Sequence, residues 1–239
     1  MKKNFIIIII LSMLSIFTIL KSAHTSDDGD YIGRFVSLSG NINYDSKGIS
    51  DYILMSCNDA MNIKFENNDK IITFADTTGE ITTTYGANLK VAPNSEFQLG
   101  FTNIRINQGG TWISFKPKKM NPKGKYVFVV DTPVGTVGIK GTTFAVLFDK
   151  NTNNLSIQVS EGVVAFESLN KNIQKTINAG EFMVVESSGE KLKGPEKYNE
   201  GFDILAPNSP DARSGGNNKE KEDKEQSGGV NPWKTINKK

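Results

Sequence analysis

The chain has 239 residues, with 28 Lys and Arg against 26 Asp and Glu, one histidine and one cysteine. A lone His24 and a lone Cys57 exclude Cys-His and Ser-His-Asp nucleophilic sites, histidine-built metal centres and internal disulfides, so the fold must hold by packing. The formal charge of +2 includes Lys2, Lys3 and Lys21, and removing a leader that ends at Ala23 takes it to −1, which leaves no electrostatic footprint for nucleic acid.

Lys2 and Lys3 precede an apolar run, Phe5 to Leu20, interrupted only by Ser12, Ser15 and Thr18. A basic start before such a run reads as a secretory signal peptide or N-terminal anchor over residues 1–23. A membrane span needs about 20 residues, so cleaved export is preferred, although Lys21 sits where a cleavage site prefers a small residue. If the leader is kept, residues 5–20 make the only membrane contact.

From Tyr31 to Phe115 short β segments alternate with turns. Phe35, Ser37 and Ser39 alternate with Val36 and Leu38 and stop at Gly40; Ile42 and Tyr44 lead into an Asp45–Gly48 turn. Asp51 to Asn62 admits one helical turn. Cys57 reads as a small buried side chain, because no hydrophobic run stands before Leu54-Met55-Ser56-Cys57 to make it a lipidation box. Ile71–Phe74, Ile81–Tyr85, Leu89–Val91 and Phe97–Leu99 are strands on propensity. Ile104 and Ile106 precede a break at Gly109-Gly110, and Trp112, Ile113 and Phe115 follow it. Lys116 to Lys125, with five lysines and two prolines, reads as a solvated loop before a strand at Tyr126–Val130.

The central stretch runs from Asp131 to Phe148. Thr132-Pro133 forms a turn, and Gly135, Gly138 and Gly141 follow at a spacing of three. A phosphate loop needs its lysine directly after the last glycine, but Lys140 precedes Gly141; no helix follows for a dinucleotide fingerprint either. The glycines are backbone punctuation before a buried strand, Thr142–Phe148. Asp149–Asn154 lacks the glycine and glutamate of a calcium loop, with Asn154 and Ser160 in their places, and is a hairpin connection. Leu155, Ile157 and Val159 alternate with Ser156, Gln158 and Ser160, which predicts a strand with one wet face. Val163–Phe166, Ile173–Ile177 and Phe182–Val185 are further strands.

Residues 31–190 thus form an all-β body of short stacked strands, with a rolled β-sandwich as one arrangement. Residues 191–206 connect it to a tail, 207–239, too polar to order itself, in which Trp233 is the only plausible anchor. Asp131, Asp149, Glu161, Glu167 and Glu181 sit at turns and strand ends as solvated caps. No catalytic, cofactor-binding or metal-ligating residue is assigned, and the chain reads as a non-enzyme.

The segment TPVGTVGIKGTTFAV followed by NLSIQVSEGVVAFES resembles the central signature of the FecR-type domain, a bacterial extracytoplasmic module. Its marks are Thr132-Pro133-Val134, Gly141-Thr142 and Glu161-Gly162-Val163. The resemblance extends through Leu89–Ser95, Gly109–Phe115 and Ile177–Glu181, covering Gly33 to about Val185. It implies a β-solenoid-like body in the periplasm or cell envelope. The best-known members regulate an extracytoplasmic sigma factor through a cytoplasmic helical region. Here only Met1 to Asn4 precede the apolar run, too few for a stable helix. The expectation is a stand-alone exported form without that region, a non-enzymatic binding or scaffold module whose partner is an envelope protein or glycan. The alternatives are a signalling component working through a separate membrane regulator and, remotely, an envelope-glycan hydrolase.

Overall fold

Residues with positive φ, all Gly, Asn or Lys, punctuate the chain, and strands of mostly four to eight residues run between them. The computed structural model describes residues 31–48, 51–117, 128–186, 191–199 and 202–205. The leader, residues 118–127 of the lysine-rich loop and the tail with Trp233 lie outside them. In chain order the elements are β1 (Gly33–Ser39), β2 (Ile42–Asp45), β3 (Ile53–Met55), a one-turn helix α1 (Cys57–Ala60), β4 (Lys70–Thr73), β5 (Thr78–Thr83), β6 (Ala87–Val91), β7 (Glu96–Leu99) and β8 (Asn103–Phe115). They continue with β9 (Phe128–Thr132), β10 (Gly135–Ile139), β11 (Thr143–Asp149), β12 (Asn154–Glu161), β13 (Val163–Ser168), β14 (Gln174–Asn178), β15 (Glu181–Glu186) and β16 (Lys191–Lys197). All lie in the unit that begins at Ile32. The fold is all-β, as expected, and α1 supplies the helical turn. No helix among the described residues is long and apolar enough to cross a membrane.

Two sheets share one strand. The first runs β1-β5-β6-β8-β11-β12-β15-β16 and the second β3-β2-β4-β7-β8-β9-β10-β13-β14; every pair is antiparallel except β8 with β9. Thirteen residues long, β8 pairs with β7 and β9 through its first half and with β6 and β11 through its second. Gly109-Gly110 therefore bends this strand instead of ending it, which corrects the predicted break. Glu96 faces Gln108 while Phe97 faces Ile106, so Asn107 is a bulge. One extra residue flips the alternation. Ile104 and Ile106 point into the core before it, and Thr111, Ile113 and Phe115 do so after it. Gly109 has φ +73°, and a β-carbon there would lie 2.6 Å from Ser95 Cα. The Gly110 amide donates to Ser95 Oγ at 3.0 Å, which pins the bend.

Inward side chains of both sheets form one core, in which Phe35, Phe65, Phe128, Phe144, Phe148 and Phe166 are essentially fully buried. Each such ring contributes about 1.5–3 kcal/mol through burial. Phe128 of β9 stacks on Phe115 of the first sheet (centroids 5.3 Å) and on Tyr85 (5.4 Å), tying the layers together. Burial raises the Tyr85 hydroxyl well above its ordinary value. At the other end Asp69, fully buried, accepts from Tyr44 Oη (2.7 Å) and from the amides of Lys47 (2.9 Å) and Glu66 (2.8 Å). These partners hold the carboxylate in place of water.

Of the three central glycines, Gly135 and Gly138 lie inside β10, and only Gly141 has positive φ, +70°. At Gly135 the reason is space, since a β-carbon would meet the Phe166 ring at 2.6 Å. Thr132 closes the β9–β10 turn, its Oγ1 donating to the Gly135 carbonyl at 2.7 Å. Finally, β12 has no wet face over most of its length: Ser156 and Gln158 are both 2% exposed. A segment more than forty residues later in the chain covers Gln158.

Candidate binding face

The two sheets turn very different outer faces away from the core. On the first, the segment Phe202–Leu205 lies across β8, β11, β12 and β15. Gln158 Nε2 donates to the Phe202 carbonyl (2.7 Å), and the Ile204 amide donates to Gln158 Oε1 (3.0 Å). Trp112 Nε1 donates to Asp203 Oδ1 (3.2 Å). Ile204 and Leu205 bury themselves with Ala145, Trp112 and Leu147 in a small cluster separate from the main core. Phe202 packs on Phe182 (centroids 5.0 Å) and Tyr198 (5.7 Å). This face is occupied.

On the second sheet the register aligns a polar row across eight strands: Asp45, Lys70, Gln98, Arg105, Asp131, Thr136, Glu167 and Gln174. Beside it runs a row of smaller side chains, Asn103, Val129, Gly138, Ala165 and Thr176. Where Gly138 and Ala165 meet, the surface sinks into an open groove of about 680 Å³, walled by Glu167, Gln174, Lys171 and Lys175, with Leu169 64% exposed at its rim. A second hollow, about 160 Å³, lies between Asn68, Gln98, Asn103 and Arg105 on the same face. Gly and Ala make the floor because a larger side chain at either register position would fill it. Charges of both signs flank it, which suits a partner that makes many polar contacts.

The predicted carboxylates are dispersed. Asp131 accepts from Asn103 Nδ2 (3.1 Å) and Thr136 Oγ1 (3.2 Å) and shares the open face with Glu167. Two strand spacings separate them, roughly 9–10 Å. Asp149 caps its hairpin by accepting from the Asn151 amide (2.9 Å) and Thr152 Oγ1 (3.1 Å). Glu161 accepts from Thr143 Oγ1 (3.2 Å). Glu181 accepts from the Asn178 amide (2.8 Å) and lies 3.6 Å from Lys197 Nζ. The backbone bond from Asn178, more than the lysine, holds this carboxyl below its ordinary range. No group of three or more His, Cys, Asp or Glu among the described residues could hold a metal ion. Cys57 is half-buried, its Sγ donating to the Leu38 carbonyl at 3.0 Å.

Sequence reasoning missed Gln158, Trp112 and Asp203 as anchors and Arg105 as part of the open face. None carries a local signal, because register and strap are contacts between distant residues.

Residues 69–165, from the start of β4 into β13, match the family model described as FecR protein. Two crystal structures of a candidate anti-sigma factor from Parabacteroides distasonis, at 2.50 Å and 1.65 Å, are similar to this chain at 15% identity and a TM-score of 0.45. Each match covers 54% of this chain and 60% of that one, less than two thirds of its length. Comparison with curated proteins gives no match.

Proposed function

We propose that this chain, a FecR-type domain protein by its match over residues 69–165, is a non-enzymatic binding or scaffold module of the bacterial cell envelope. Its contact surface on this reading is the outer face of the second sheet. The supporting observation is that the described residues leave this face open, with a groove of about 680 Å³ in a polar row, while its counterpart is filled by the chain's own segment. The groove's acids and lysines are the kind of polar, solvent-accessible groups found at the rim of an interface, around a floor that leaves room for a partner's side chain. The dispersed carboxylates disfavour a hydrolase, whose acid and base must flank one bond. The family match favours one further reading, in which the module passes an external stimulus to a separate membrane-spanning regulator.

Photo-crosslinking in intact cells tests both. A photoreactive residue replacing Gln174 should give one discrete adduct with an envelope component, and the same residue replacing Lys90 on the first sheet should give none. An adduct with a membrane regulator supports the signalling reading, and one with a glycan or another envelope protein supports the scaffold. Equal labelling from both faces, or none from Gln174, would overturn the assignment of the surface.

A further inference from the structure

The segment on the first sheet is held as a bound peptide is held. Among the described residues its contacts with the sheet are made by side chains and not by a strand ladder. One amide, Gln158, reads both a backbone acceptor and a backbone donor two residues apart, Phe202 C=O and Ile204 N–H. Trp112 reads the acid: its Nε1 donates to Asp203 Oδ1, which also accepts from the Leu205 amide at 2.9 Å. Phe182 and Tyr198 receive the aromatic ring, and Ala145 and Leu147 receive the two aliphatic side chains. At Gly110 a β-carbon would collide first with the Val146 carbonyl oxygen of β11 and then, at 2.6 Å, with a Leu205 methyl, so the glycine the ladder requires also leaves room for the occupant. The apolar cluster beneath is separate from the main core, so the segment can leave without opening the core.

We propose that the outer face of the first sheet is a peptide-recognition slot, that Phe202–Leu205 is its resident occupant, and that an extended partner segment with an aromatic, an acid and two aliphatic residues in succession takes the same place. Tethering holds the resident at an effective concentration on the order of millimolar, so the slot answers only to a partner segment that binds tightly or is delivered locally. Displacement then releases Phe202–Leu205. This slot is independent of whatever binds the second sheet.

The test uses the full chain with Ile204→Asp, which weakens the resident, and a fluorescent synthetic peptide carrying the Phe202–Leu205 sequence. Anisotropy should show saturable binding to the variant at least about tenfold tighter than to the unsubstituted chain. Adding Gln158→Leu to the variant, or replacing the aspartate of the peptide by alanine, should abolish or severely weaken it. Should Ile204→Asp lose its native circular dichroism, the full chain with Asp203→Ala serves, since it removes only the bonds to Trp112 and Leu205. Absence of saturable binding to a folded variant, equal affinity for variant and unsubstituted chain, or indifference to Gln158→Leu would each overturn the proposal.

Discussion

The two outer faces are built from the same kind of ladder yet meet the solvent differently. Facing outward at matching places are Trp112, Ala145 and Gln158 on the first sheet and Arg105, Asp131 and Thr136 on the second. The first set is apolar or carries an amide that needs a buried partner, and the chain itself supplies the cover. The second set is charged or small, and within it Thr136 donates to Asp131, so it can stay wet at no cost. An outer face therefore tells its use through what it would leave unsatisfied. Gln158 is dry and, among the described residues, its side chain is paired only through Phe202 and Ile204; Asp131 without a partner still has Asn103 and Thr136.

The comparison breaks most completely where both faces depend on one residue. Gly109→Val combines backbone strain at φ +73° with a collision against Ser95, and should cost about 2–5 kcal/mol in urea unfolding, with both sheets affected. Gln158→Leu should act on the first face alone. It leaves two backbone groups of the strap unpaired, a loss of about 1–3 kcal/mol, read as faster hydrogen exchange at the Ile204 amide with the second sheet unchanged. Gly141→Val should cost less, about 1–2 kcal/mol, since φ is +70° but a β-carbon there meets nothing within 4 Å. Unfolding indistinguishable from the unsubstituted chain would show that this turn accepts a side chain freely.

The smallest effect is electrostatic. The Glu181 carboxyl has a depressed folded-state pKa, so its contribution is present above the ordinary glutamate value and is lost as pH falls through the folded value. Glu181→Gln should therefore flatten slightly the acid limb of a stability-against-pH curve, by a small loss at neutral pH and none at the acid end. An acid limb of unaltered slope would mean the bond from Asn178 is replaced by water.

Most strands were legible because β-branched residues alternate between Gly and Asn stops, as at Ile71–Thr73 and Leu155–Val159, and local steric preference decides such segments. The bend of β8 left a trace: the apolar positions Ile104 and Ile106 are even and Ile113 and Phe115 odd, the mark of one inserted residue. Gly109-Gly110 read as a stop because glycine signals both a break and a bulge. The dryness of Gln158 was illegible, because the cover arrives from Phe202 and Ile204, 44 and 46 residues away. The polar row of the second sheet was hidden too, since its members become neighbours only through the register of eight strands.

Hydroxyl-radical footprinting of the protein, free in solution and then in intact envelopes, tests most directly whether one face is filled from within and the other kept for a partner. In the free protein Leu169 should oxidise readily while Ile204 and Leu205 are protected. In the envelope Leu169 should become protected and the first face should hardly change. Strong oxidation of Ile204 or Leu205 in the free protein, or a Leu169 equally reactive in both states, would contradict that division of the molecule.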